Sequence, residues 1–576
     1  MHDLVIRGGT VVDGTGAPAR TADVAIDGDR ITAVGQVDDR GRIEVDADGA
    51  LVTPGWVDIH THYDGQVTWD DDPAPSANHG VTSLVMGNCG VGFAPCPPDR
   101  RDWLVSLMEG VEDIPGSALH EGISWEWETF PEYLDALDRR QWTVDVGTQI
   151  AHGAVRGYVM GERGARNEPA TPADIEAMSA IVEEAIRAGA LGVSTSRTIA
   201  HLAMDGEPVP GTYAAEDELF GLGAALGRAG AGVFELAPMG VAGEDVVAPK
   251  VEVDWMRRLA AATGRPVTFA LLQVDAAPDL WRELCDFSAE AIAEGASLHP
   301  QVAGRPTGLL AGLDTTYGLL DSIPPFAPIV ALPPAERFAA LRDPAVRESI
   351  LGWEPDPETK AALEASYETF YLLGDPVDYE PGPESTLAAV AARQGGDPPE
   401  LAYDTFLSED CRGLLYLPIL NYTEGISDPT REMLLHPAAV LGLGDGGAHV
   451  GFICDGSTPT WMLTHWVRDR TRGERLPLEL VVQRQTSDTA ALYGLGDRGA
   501  LTPGLMADVN VIDFENLRLH TPAVAYDLPA GGRRMLQGVD GYLATVKSGT
   551  VTRRDGERTG DTPGRLLRGA RPAPAA

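Results

Sequence analysis

Positive charge is scarce in this 576-residue chain: 44 Lys and Arg stand against 86 Asp and Glu, a formal net charge of −42. Such a surface repels phosphate backbones and anionic headgroups, which argues against a nucleic-acid partner or a basic membrane anchor. No apolar run approaches the roughly 20 residues that a spanning helix needs, and the opening MHDLVIRGG lacks a basic stretch followed by an apolar one. A soluble, cytoplasmic protein with no membrane partner is therefore the expectation. Cysteine is sparse and odd in number, at Cys89, Cys96, Cys285, Cys411 and Cys454, so reduced thiols are expected rather than a disulfide scaffold. There is no internal repeat, and low complexity is confined to the terminal RPAPAA. What the chain does have is apolar residues, 44% of the total, enough to bury a sizeable core.

The first fifty residues read as short strands, DLVIRGGTVVDG, ADVAIDGDRITAVG and GRIEVDADGALV, with Asp-Gly pairs where hairpins turn. The same texture returns in MADVNVIDFENL and GYLATVKSGTVTRRDGE, so 1–51 and 490–576 are expected to build one composite β-sandwich. Between them, eight strand-like runs alternate with helical segments, at 52–62, 81–90, 144–152, 189–196, 231–238, 266–273, 296–303 and 440–449. Eight such repeats predict an α/β fold, a (β/α)8 TIM-like barrel over 52–489. One helix is well marked: Thr171 caps it, Pro172 takes the first position, Asp174 closes a capping box, and Gly189 stops it. A Pro-rich, acidic stretch of about 305–430 exceeds any ordinary connection and is expected to be an inserted subdomain over the barrel mouth.

Barrel chemistry gathers where strands end, so the terminal residues of each run are the candidates. His60 and His62 alternate at the end of the first run and can face one metal together. Asp445 ends the eighth, followed by Gly446 and Gly447, and a carboxylate there can ligate a metal and take a proton from water. His152, at the end of the third run, is either a pocket group or a hydrogen-bonded structural histidine. Arg197 and Arg305 have the fork geometry to clamp a substrate carboxylate, with ion pairs to the abundant acids as the alternative. His299 and His449 lie near the mouth, Cys96 reads as a buried thiol, and Asp70, Asp71 and Asp72 read as a solvated face.

The motifs VTPGWVDIHTH (52–62), GVTSLVMGNCG (80–90), GALGVSTS (189–196), HPAAVLGLGDGGAH (436–449) and GALTPGLMADVNVID (499–513) resemble those of the amidohydrolase superfamily. Within it, Gly-Asn-Cys-Gly around Cys89 resembles the N-acyl-D-amino-acid deacylase branch. The resemblance implies a zinc-type site with His60, His62, Cys89 and Asp445 around the metal. It also exposes departures. The only lysines are Lys250, Lys360 and Lys547, none at a strand end where a carboxylated lysine would bridge two metals. The branch would place a histidine on strands five and six, where this chain has AGVFELAP and RPVTFALLQ, with Glu235 and Gln273 near those positions. One zinc ion, or a site completed by Glu235, is thus expected. The implied activity is hydrolysis of an amide C–N bond in a small-molecule substrate, an N-acyl-D-amino acid. A cyclic amide or ureide hydrolase and a catalytically silent ligand-binding barrel are the alternatives. Asp445 would serve as base, and the metal, with His152, would stabilise the oxyanion.

Overall fold

The computed structural model describes residues 1–574. Strands β1 (His2–Val11), β2 (Arg20–Asp27), β3 (Arg30–Gly35), β4 (Gly41–Asp46) and β5 (Leu51–Pro54) form part of a nine-stranded sheet. Val509–Ile512, Tyr542–Lys547, Thr550–Arg554 and Glu557–Arg558 complete it from the other end of the chain, and Val511 pairs with Val52 across the junction. Alternation places Leu4, Ile6, Val24, Ile26, Val52, Val509, Val511 and Val546 in one apolar core, which holds the two ends together. The Asp-Gly turns appear where expected: Asp555 and Gly556, at φ 49° and 81°, connect two of these strands in the left-handed conformation a tight hairpin requires.

Each of the eight predicted runs contains a parallel strand. These are β6 (Trp56–Asp58), β7 (Val81–Met86), β8 (Asp145–Thr148) with its continuation β9 (Ile150–Ala151), β10 (Gly192–Ser196), β11 (Val233–Ala237), β12 (Val267–Leu271) and β13 (Leu298–Val302). Past β14 (Thr307–Ala311), β15 (Tyr371–Leu372) and β16 (Leu415–Leu420), the last is β17 (Val440–Leu441). Ladders run β6-β7-β8 and β9-β10-β11-β12-β13-β17 in register. The first and last strands approach each other through a parallel bridge from Thr61 to Gly446, where His62 N–H donates to Gly446 O at 2.8 Å. The run read as one strand from 52 to 62 divides at Gly55, because 51–54 join the terminal sheet and only 56–58 join the parallel one. A side chain at Gly55 would lie 2.2 Å from Thr82 Oγ1, so the close crossing of the two sheets demands glycine. The helix Pro172–Ala188 forms as its sequence dictates, with Thr171 and Asp174 in a reciprocal capping box.

Between β13 and β17, the antiparallel strands β14, β16 and β15 and several short helices surround a separate core that includes Leu313, Phe326, Leu341, Phe370, Tyr403 and Phe406. Two segments near the C-terminal end leave the terminal sheet. Residues 518–540 form two small hairpin sheets that reach the loop after β17, where Met535 N–H donates to Val450 O, and Gly564 and Leu566 bridge to Trp142 and Val146. Lys547 is fully buried beneath the parallel strands and bonds Asp145 at 2.7 Å and Asp508 at 2.9 Å, with Arg498 beside it on the same carboxylates. All five cysteines are free and buried. No described helix is long and apolar enough to cross a membrane.

Candidate active site

Asp58, His60 and His62 share one side of the chain leaving β6, and the two imidazoles are almost entirely buried. His60 Nδ1 lies 2.9 Å from Gln301 Oε1 on β13. An amide oxygen only accepts, so Nδ1 carries the proton and Nε2 presents its lone pair. That lone pair faces Cys89 Sγ at 3.4 Å and Asp445 Oδ1 at 3.3 Å. His62 Nε2 is 3.7 Å from the same Asp445 oxygen. Cys89 follows β7 with φ 54°, and its N–H donates to Glu235 Oε2 at 2.9 Å. The neighbouring Asn88 fixes the turn by donating to Thr61 O and Val85 O. Ligating atoms of His60, His62 and Cys89 thus lie within 4.8 Å of one another. Asp445 is turned in by a left-handed backbone, φ 43°, and Gly446 leaves room for Ser76 Oγ, which a β-carbon would meet at 2.3 Å.

The electrostatics of this cluster are those of a cation site. Burial pushes the Glu235 carboxyl up to about 8, and nearby Asp445 adds to the effect. Burial likewise lifts Asp58 and Asp64 to about 7. The Cys89 thiol rises well above its usual range through burial and then through the charge of Glu235. His60 is lowered, chiefly by desolvation. For His62, burial opposes the charged form, but Glu112 and Asp445 prevail and raise it to about 9. Asp445 is also desolvated, yet the two imidazoles hold it well below the carboxylate range. The main positive groups acting on these carboxyls are histidines. Several buried atoms have no hydrogen-bond partner, among them Asp58 Oδ2, Glu112 Oε2, Glu235 Oε1 and His62 Nδ1; the last lies 3.1 Å from Glu112 Oε1 without hydrogen-bond alignment. Unpaired buried acids beside nitrogen and sulfur donors fit a divalent metal, which would satisfy the acids and stabilise a thiolate.

The remaining candidates are placed differently. His152 is sealed in the wall: Nδ1 meets Thr195 Oγ1 and Nε2 meets Glu218 Oε1, both at 2.9 Å, so neither nitrogen remains for a substrate. Arg197 bonds Glu252 at 2.8 and 3.1 Å and Ala214 O at 2.8 Å. Arg305 bonds Asp455, Ser457 and Cys454 O and stacks 3.9 Å over Tyr379. Both guanidiniums are in the ion pairs named as their alternative, because Glu252 on the helix Ala248–Thr263 and Asp455 past β17 reach them first. The Gln273 side chain donates to Pro278 O rather than joining the cluster, whereas Glu235 joins it. His299 bonds Ser297 and Ala438 O, and His449 lies 3.9 Å from Glu112. The Asp70–Asp72 run is not a solvated face throughout: Asp72 is buried against Arg553 and Thr143. Sequence reasoning passed over Glu112, His201 and Gln301. Asp58 was legible, since it shares the alternation of His60 and His62.

A histidine pair, a cysteine and a carboxylate past the C-terminal ends of β6, β7 and β17 define a candidate hydrolytic metal centre. The chain belongs to the Amidohydrolase family, whose model matches residues 44–553. It is 37% identical over 194 residues to the D-aminoacylase of Alcaligenes xylosoxydans xylosoxydans, a match that spans 34% of this chain and 37% of that enzyme. It is 29% identical over 526 residues to the N-acyl-D-glutamate deacylase of the same organism, covering 89% of this chain and 88% of that one. Among solved structures, the N-acyl-D-glutamate deacylase of Bordetella bronchiseptica, complexed with zinc and a phosphonate inhibitor, superimposes with a TM-score of 0.65. It shares 22% identity over 98% of this chain and 99% of its own, a likeness of fold.

Proposed function

We propose that this protein is a metal-dependent hydrolase of the amide C–N bond in N-acyl-D-amino acids. The observation that carries the proposal is the buried cluster of His60, His62 and Cys89 facing Asp445, among carboxyls that no Lys or Arg of the described residues pairs with. The D-configured substrate is suggested by the relatives matched above. A zinc ion held by His60, His62 and Cys89 would supply Lewis-acid polarisation of the carbonyl and of water. Glu235 Oε1 and Asp445 stand ready to complete its ligands, and one ion per chain is the stoichiometry this donor set supports.

The chain's own groups do the rest. Asp445, kept ionised by the two imidazoles, accepts the proton of the attacking water and returns it to the leaving nitrogen. Gln301 holds the tautomer of His60, and the charge of Glu112 supports the protonated form of His62 when no metal is bound. We read the parallel strands as a (β/α)8 barrel over 52–489, an order supported by the ladders and the Thr61–Gly446 bridge. The nine-stranded sheet is read as the composite β-sandwich of 1–51 and 490–576, and the separate core of about 305–430 as an inserted subdomain. Five free, buried thiols accord with a cytoplasmic location. A hydrolysis screen of N-acyl amino acids of both hands, beside cyclic amides and with metal analysis of the same sample, tests the reading. Turnover of D-substrates with one zinc per chain is expected. A metal-free protein inert to all of them would overturn it.

A further inference from the structure

A tetrahedral intermediate must develop negative charge among several buried carboxyls, and among the described residues no Lys or Arg pairs with them. Arg197 and Arg305 are engaged in ion pairs, and both nitrogens of His152 are bonded within the wall. Two further imidazoles lie by the strand ends: His449, 3.9 Å from Glu112, and His201, whose strand closes on Gly90 beside Cys89, where a β-carbon would meet Ser196 N at 2.7 Å. His201 sits five residues past Ser196, the last residue of β10, in the loop that leads to the helix Glu216–Ala229. Its Nδ1 is 3.0 Å from Ser196 Oγ. The loop is fixed around it: Val209 N–H donates to His201 O at 3.0 Å, Leu202 bridges Pro208, and Thr198 Oγ1 accepts from Ala200 N–H.

Burial first, and then neighbouring histidines, lower the His201 imidazole to about 3, so the ring is neutral in the working range. A neutral imidazole carries a single proton. The Ser196 hydroxyl is able to donate into Nδ1, the arrangement that leaves the ring proton on Nε2. Among the described residues Nε2 has no hydrogen-bond partner, and it is not sealed from solvent.

We propose that His201 Nε2–H donates a hydrogen bond to the carbonyl oxygen of the scissile amide, a bond that strengthens as that oxygen becomes an oxyanion. The proposal rests on the amide-hydrolase reading above and gives His201 the role that sequence reasoning offered to His152. A neutral donor suits the position, because it stabilises the developing charge without surrendering a proton to it. The Ser196 contact fixes the direction of the ring before substrate arrives.

The test is a pair of variants in the metal-loaded protein, His201→Ala and His201→Gln, the second placing an amide N–H near the lost Nε2–H. Loss of one preorganised oxyanion donor lowers kcat by roughly 100- to 1000-fold. His201→Ala is therefore expected to lose that much kcat with KM within a few-fold of the parent, and His201→Gln to recover at least part of it. Zinc content should be unchanged in both. A phosphonate mimic of the tetrahedral intermediate, titrated by calorimetry, should bind His201→Ala more weakly while the amino-acid product binds as before. A kcat for His201→Ala within three-fold of the parent overturns the assignment. So does a zinc content that falls in proportion to activity, which would make His201 part of the metal site. A parent inert to every amide removes this proposal together with the function it rests on, whereas an active parent with an indifferent variant removes the His201 role alone.

Discussion

Replacing Asp445 by Asn tests the centre of the proposed chemistry. The amide keeps the shape of the carboxylate but cannot accept the water proton, and loss of a positioned general base costs about 100- to 10,000-fold in rate. The structure adds a second effect. Asp445 Oδ1 lies 3.3 Å from His60 Nε2 and 3.7 Å from His62 Nε2. At an effective dielectric of about 20, the contact with the protonated His62 corresponds to roughly 4 to 5 kcal/mol of Coulomb attraction. In the metal-free protein, the raised pKa of His62 should therefore fall in Asp445→Asn, leaving Glu112 as its main support, and this is observable as a shift in the imidazole resonance with pH. The expected result is a folded protein by circular dichroism, with kcat lowered at least 100-fold and zinc retained in part through His60, His62 and Cys89. A variant with full zinc and kcat within ten-fold of the parent would refute Asp445 as the base.

Cys89→Ser should lose zinc and activity together, because a hydroxyl supplies neither the charge nor the soft bond of a thiolate. Full metal with stability lowered by about 1 to 3 kcal/mol would instead mark a packing cysteine, a distinction that elemental analysis and Tm on one sample make. Arg305→Ala should lower stability by about 3 to 5 kcal/mol by stranding the buried Asp455 carboxylate, while KM stays within two-fold; a large rise in KM at unchanged Tm would restore Arg305 as a substrate clamp. Glu380, a buried residue of the insertion facing the segment after β17, is desolvated, yet Arg470 and His465 hold it down at about 2, against 4.5 when unperturbed. Its contribution, about 3 kcal/mol by linkage, is fully present above pH 4.5 and is lost as pH falls through 2. The stability gap between parent and Glu380→Gln in denaturant melts should accordingly close over that window, and a gap independent of pH would show that Glu380 does not act through its charge.

Local pattern carried a good deal of this protein. The eight strand runs, the capped helix between Thr171 and Gly189 and the paired texture of the two chain ends follow from periodicities of 2.0 and 3.6 and from turn chemistry, which neighbouring residues set on their own. The alternation of His60 with His62 likewise fixes that both imidazoles leave one side of a strand. Tertiary structure alone decided which groups those imidazoles meet. Gln301 reaches His60 from 241 residues away, and Arg305 is held by Asp455 across 150 residues. Arg553 buries Asp72 from the far end of the chain, which turned an apparent charge run into a buried contact. Glu218 and Thr195 close both nitrogens of His152, while His201 keeps one open. Whether a histidine or arginine faces substrate or a neighbouring acid depends on the few ångströms between loops, a distance that strand order and helix packing set and that no local pattern encodes.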